Sequence, residues 1–331
     1  MRRYYIVKRW IPKRSILVAT RRSGLSFLFV LLVASAAAFA PQDVAVAIQT
    51  KPATDWSFYV RRVVSSDAYT LGCNQGNHDT LNGQKNSLVV LDFGIQNAAG
   101  TGTYLIESGT FVTHLQIRTY AAQFAEGYWD CTGSNTSSKV RLAIGTNNSV
   151  TGRVDYSLGS AWADMVDGVI SDTASYASQV IIYGAIDAEP SWDYASNAVD
   201  WASGFDASTS AFYYNYGSAD GCPSASSSNG ACNNGWYQED LWQISWGQSA
   251  ALAFPEIYFQ VNAEQWAMIS EYGAIYEGQA ITFGGPLDNY WFDSSSNTDQ
   301  QAWDDLWTEI NSSSWTAGNL MFSGEMHYSD P

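Results

Sequence analysis

Basic residues are what this 331-residue chain most conspicuously lacks: of its 16 Lys and Arg, eight fall within the first 22 positions, and none occurs in 154–331. Phosphate binding needs clustered Lys and Arg, so nucleic acid is excluded as a partner. Every acidic residue follows Ala40, and the formal net charge is −16. Such acidity suits solubility outside the cell or in acidic or salty surroundings. It leaves a neutral, hydroxyl-rich ligand as the better match. Histidine is scarce too, with only His78, His114 and His327, which gives a Ser-His-Asp hydrolase little to draw on. No G-x-G-x-x-G follows the first clear strand, so a dinucleotide fold has no positive sign and no cofactor is expected. The four cysteines are not spaced as a zinc site, and the segment around Cys73 (LGCNQGNHD) offers no ligand cluster.

Long apolar runs are also missing, apart from residues 25–40, which are shorter than the roughly 20 residues of a membrane-spanning helix. That stretch follows Arg2, Arg3, Lys8, Arg9, Lys13, Arg14, Arg21 and Arg22 and precedes Ala45-Val46-Ala47. The arrangement predicts an export signal over 1–47, leaving a secreted, monomeric single domain over 48–331 with no membrane contact after cleavage. An even number of cysteines in an exported chain predicts two disulfides. Cys222 and Cys232 bracket a loop-like PSASSSNGA and should join each other, which leaves Cys73 for Cys131.

Among the features present, residues 179–192 (QVIIYGAIDAEPSW) organise the rest. They read as a buried strand ending in two acids. Strand alternation puts Asp187 and Glu189 on one face with Ile181, Tyr183 and Ala185. Two carboxylates sharing one space push their pKa values apart, which suits acid/base chemistry on a sugar or ester. The same two acids also suit a helix cap.

Further strands are predicted at 56–64, 87–94 (SLVVLDFG), 139–147 (KVRLAIGTN), 211–217 (AFYYNYG), 254–260 (FPEIYFQ) and 280–285, with 238–247 a short helix or a strand. Helical patterns occupy 113–128, 159–176, 194–203, 262–276 and 299–311, with a weak one that starts at the Ser/Asp after Val64 and runs through Cys73 to Asp79. Strands alternating with helices through seven or eight units predict an α/β fold, a (β/α)8 TIM-like barrel. In such a barrel Asp92, Asn147, Asp187, Glu189, Glu256 and Asp288 would gather at the C-terminal strand ends. Arg141 has inward parity and is expected to pair with Asp92, Asp187 or Glu189. Trp192, Tyr214, Trp246 and Tyr258, near strand ends, suit stacking on sugar faces, although most of the 14 tryptophans should pack cores and helices.

The D-x-E at the end of the fourth strand resembles that of the family 25 lysozymes and related secreted glycoside hydrolase-like barrels. The segment G184-A-I-D-A-E-P-S-W192, with N215-Y-G-S218 and its cysteine loop, is similar to segments of exported bacterial proteins. The resemblance implies Glu189 as general acid, Asp187 as its electrostatic partner, Asp92 as the acid of an early strand and Asp288 as the acid near the last. It also implies an oxocarbenium-like transition state and a polysaccharide or peptidoglycan-like ligand held by Glu256, Tyr258, Asp288, Trp192, Tyr214, Asn147 and Arg141. The other expectation is a noncatalytic glycan-binding barrel whose acids serve structure or hold a cation such as Ca²⁺.

Overall fold

The computed structural model describes residues 48–133 and 135–329; the export segment expected at 1–47 lies outside them. In chain order the elements are β1 (Asp55–Tyr59), α1 (Ser65–Asn82), β2 (Asn86–Gln96), β3 (Gly102–Tyr104), β4 (Phe111–Thr113), α2 (His114–Thr132), β5 (Lys139–Asn147), α3 (Tyr156–Asp172), β6 (Val180–Asp187), α4 (Ala195–Ser208), β7 (Tyr213–Asn215), α5 (Gln238–Trp242), β8 (Ala251–Ala253), α6 (Gln260–Tyr272), β9 (Leu287–Asp288), α7 (Asp299–Asn311) and β10 (Gly324–Tyr328).

Hydrogen-bonded neighbours run β8-β7-β6-β5-β2-β1-β10-β9, all parallel. The two ends meet through bridges from Ala253 to Phe283 and from Glu256 to Leu287. Eight parallel strands closed in this way, with helices between them, form the expected TIM-like barrel. Alternation along β5 and β6 sorts the side chains: Val140, Leu142, Ile144, Val180, Ile182 and Ile186 pack against helices, while Ala143 and Ala185 join Leu88, Val90, Tyr214, Phe254 and Met326 inside the barrel.

The chain departs from expectation where strands are short. Pro255 has no N–H for a ladder, so the strand placed at 254–260 lies earlier, at β8. Glu256 and Tyr258 follow it in irregular backbone, and Gln260 opens α6. The strand placed at 280–285 shrinks to the bridge at Phe283, and β9 and β10 complete the barrel instead. An antiparallel excursion, β3 and β4, grows from the end of β2. Gly94, at φ 78°, makes room for it, since a Cβ there would stand 2.3 Å from the Tyr104 carbonyl oxygen.

Helix α1 forms where the weak pattern places it and runs three residues further, to Asn82. It buries Gly72, Gln75, Gly76 and Asp79 instead of an aliphatic stripe. A Cβ on Gly72 would lie 2.0 Å from the Phe124 carbonyl oxygen of α2, and one on Gly127 would lie 2.1 Å from that of Tyr69. The Cys73–Cys131 disulfide ties the same two helices, and Cys222–Cys232 closes the loop, both as expected. Gly72→Ala should therefore destabilise the fold by about 1–3 kcal/mol through overpacking, despite alanine's helix preference of about 1 kcal/mol. Thermal unfolding followed by circular dichroism would show a lower midpoint; an unchanged or raised one would mean the helices can move apart at no cost.

Candidate active site

The C-terminal strand ends surround a cavity of about 450 Å³. Asn147 and Asp187 reach it as the last residues of β5 and β6, and Glu189 and Trp192 follow β6. Glu256 and Tyr258 enter after β8. Asn289 and Phe292 contribute from beyond β9, Tyr59 and Tyr328 from the paired ends of β1 and β10, and Ile106 from the excursion.

Asp187, Glu189 and Glu256 each place one carboxylate oxygen within 4.8 Å of the others. Among the described residues no Lys or Arg lines this cavity. Burial lifts the Glu189 carboxyl to about 7, the charge of Asp220 adds to this, and a hydrogen bond with Glu256 works against it. Burial also raises Glu256 well above the ordinary carboxylate range, followed by the charge of Glu189; the Tyr258 hydroxyl, donating to Oε1 at 2.5 Å, pulls it back. Asp187 is likewise raised, first by burial and then by Glu256 and Glu189, and its Oδ1 has no hydrogen-bond partner. Burial beside two other carboxyls, with Oδ1 unpartnered, favours its neutral form.

Asp92 is fully buried and joins the site through Asn147, whose Nδ2 lies 3.4 Å from its Oδ2. Burial raises it to about 6, against the Gly94 N–H donated to Oδ1 at 2.6 Å. Three expected members lie elsewhere. Arg141 has the inward parity foreseen, but six residues separate it from Asn147, roughly 20 Å along a strand. Its Nη1 donates to the Tyr214 hydroxyl at 2.7 Å, and its guanidinium lies over the Phe322 ring. Arg141 thus pairs with none of the acids, and Tyr214 belongs to the barrel interior rather than to the cavity. Asp288 follows the inward-facing Leu287, so its parity is opposite; burial raises it to about 8, and the charges bearing on it are Glu325, Asp299 and Lys51.

Two groups have the spacing to hold a cation. One is Asp187, Glu189 and Glu256; the other, unforeseen around Cys73, is Asp55, His78 and Asp79. In the second the acids are already taken by protein donors: Gln75 and Gln84 amides and the Leu88 N–H on Asp55, and Gln75, Ser87 and Tyr128 on Asp79. None of the three histidines lines the acid cavity. The two disulfides suit an oxidising compartment, and among the described residues no helix is long and apolar enough to cross a membrane.

The aromatic members Tyr59, Phe292 and Tyr328 escape sequence reasoning because barrel closure alone brings the two ends of the chain together. No protein-family model matches the chain, and no curated protein matches it. Among solved structures, the chain is similar to the complex structure of a GH113 beta-1,4-mannanase at 10% identity, over 78% of this chain and 94% of that one, with a TM-score of 0.24. So slight a likeness carries no argument, and the barrel assignment rests on the strand order itself.

Proposed function

We propose that this is a secreted glycoside hydrolase acting on an extracellular or cell-wall polysaccharide. The observation that carries the reading is the triad of carboxylates packed within 4.8 Å in a cavity lined by no basic side chain. Such a set retains protons at pH values where ordinary carboxylates have lost them, as a general acid must.

Glu189 is the acid, as the family 25 resemblance implies. It opens to the cavity, and its value of about 7 keeps it protonated in mildly acidic surroundings. Glu256, oriented by Tyr258, takes the part of the second carboxylate in place of the ligand-contact part expected of it. The bond between them lowers Glu189 and raises Glu256, so the shared proton rests on Glu256 in the free site, and the productive form is the tautomer with it on Glu189 and Glu256 ionised. Glu189 protonates the glycosidic oxygen, the bond to the anomeric carbon breaks, and Glu256 bonds to that carbon. Water deprotonated by Glu189 then displaces Glu256. Their nearest oxygens lie within 4.8 Å and are hydrogen-bonded to each other, short of the roughly 6.5–9.5 Å separation that accommodates an attacking water. On N-acetylated sugars the acetamido oxygen is an alternative nucleophile. Asp187, whose burial favours the neutral form, limits the local charge beside the pair, and Trp192, Tyr59 and Phe292 supply ring faces for stacking.

A panel of peptidoglycan, chitin and other β-linked glycans tests this by release of reducing ends. Turnover of at least one polymer, with the anomeric configuration retained by NMR, is expected. Binding without turnover on every polymer would replace the hydrolase with the noncatalytic glycan-binding module.

A further inference from the structure

We infer that a second sugar-ring site adjoins the acid cavity, so that the ligand is a neutral polysaccharide segment of several units rather than a single sugar or a short fragment. This deepens the proposed function and rests on it. The site is a separate cavity of about 430 Å³ that shares Trp192 with the acid cavity, within the range of about 300–1,000 Å³ usual for ligand pockets. Its other walls are Thr151, Ser191, Tyr194, Asn233 and Asn234. Two aromatic side chains, two amides and two hydroxyls, with no charged side chain among the lining, match the faces and edges of an uncharged pyranose. An anionic ligand would find no cation here, and a lipid would find little apolar surface.

The walls are held firmly. Asn233 and Asn234 directly follow Cys232, which the disulfide to Cys222 ties down. Trp236, fully buried, donates from Nε1 to the Asp193 carbonyl oxygen at 2.7 Å, and Asn234 Nδ2 donates to the same oxygen at 3.0 Å. Asn233 Nδ2 donates to Ser191 Oγ at 3.1 Å, and that hydroxyl donates to Asp220 Oδ2 at 2.8 Å. Asn234 itself sits at φ 52°, a left-handed conformation that non-glycine residues adopt only where the surroundings impose it. Tyr194, 57% exposed, is left free to meet a ligand.

A smaller cavity of about 180 Å³ also adjoins the acids, sharing Glu189, Glu256 and Tyr258 and adding Ser218, Asp220, Phe259 and Asn262. The acid cavity therefore borders two further cavities, which leaves room for more than one sugar ring.

The test is isothermal titration of the Glu189→Gln protein with β-1,4-linked N-acetylglucosamine oligomers and β-1,4-linked glucose oligomers, each of two and six units. In at least one series the hexamer should bind about tenfold or more tightly than the dimer. Adding Tyr194→Ala and Asn233→Ala should bring the hexamer to within about threefold of the dimer and leave dimer affinity unchanged. Tyr194→Ala alone, at an exposed position, gives a smaller loss of the same kind if the double change impairs folding. Equal affinity at both lengths, no binding in either series, or a length gain that survives the substitutions would overturn the inference. Wild-type turnover without a length effect would overturn this inference and leave the hydrolase reading standing.

Discussion

Glu189→Gln should lower glycan turnover by roughly 10²–10⁴-fold while leaving KM little changed, since the carboxamide keeps the shape but has no proton to give at the leaving oxygen. The pH profile separates this from a merely structural loss. In the wild type, activity should decline as pH rises through about 7, where the Glu189 carboxyl ionises. In Glu256→Gln the neighbouring negative charge is gone and the bond that helped Glu189 ionise is changed, so any residual activity should show a displaced alkaline limb. An aryl glycoside with a good leaving group should rescue Glu189→Gln and not Glu256→Gln, because it needs no protonation but still needs a nucleophile. Full activity in either variant would remove that residue from the chemistry.

Thermal stability should fall as pH rises, by about 10 °C or more between pH 5 and pH 8. The sign follows from the direction of the shifts. Asp92 at about 6, Glu189 at about 7 and Asp288 at about 8 all have folded-state values above their ordinary ones, chiefly through burial. Asp55, Asp187 and Glu256 are raised as well, again by burial first. The folded chain then binds more protons than the unfolded chain between about pH 4 and pH 8, so each of these groups adds stability that is complete below the unfolded value and lost as pH climbs through the folded one. The few acids shifted downward, such as Asp299 beside Thr54 and Lys51, act oppositely and only below their ordinary value. A stability maximum near pH 4–5 is expected. Unfolding midpoints across that range by differential scanning calorimetry measure it, and Asp288→Asn should flatten the slope. A midpoint that rises from pH 5 to pH 8 would contradict it.

Much of the barrel is legible in the sequence where strands are long and their two faces differ. The bounds of β5 are those expected, and the alternation of 87–94 and 179–187 sorts their side chains correctly between the barrel interior and the helix layer. The strands β8 and β9, of three and two residues, carry too little periodicity to be placed by pattern, whereas β7 lies within the strand expected at 211–217. Helix α1 gives only a weak pattern because glycines and buried polar groups take the place of an apolar stripe. At the site, Asp187, Glu189, Glu256, Tyr258, Asn147 and Trp192 meet as expected, since all lie at or just past strand ends. Arg141 shows what parity leaves out: it fixes the face of a strand and says nothing of depth along it. Tyr59 and Tyr328, 269 positions apart, pair in register only because the first and last strands adjoin.

The two disulfides do different jobs. Cys73–Cys131 reinforces a helix pair already interlocked by its glycines, on the wall of the barrel. Cys222–Cys232 instead fixes a serine-rich loop on the face that bears the acid cavity, close to the segment that holds Ser191 and Asp193. Maturation should therefore proceed in two stages: a barrel assembled before oxidation would have its acids in place but a slack rim, and competence for long ligands would arrive only after the chain reaches an oxidising compartment.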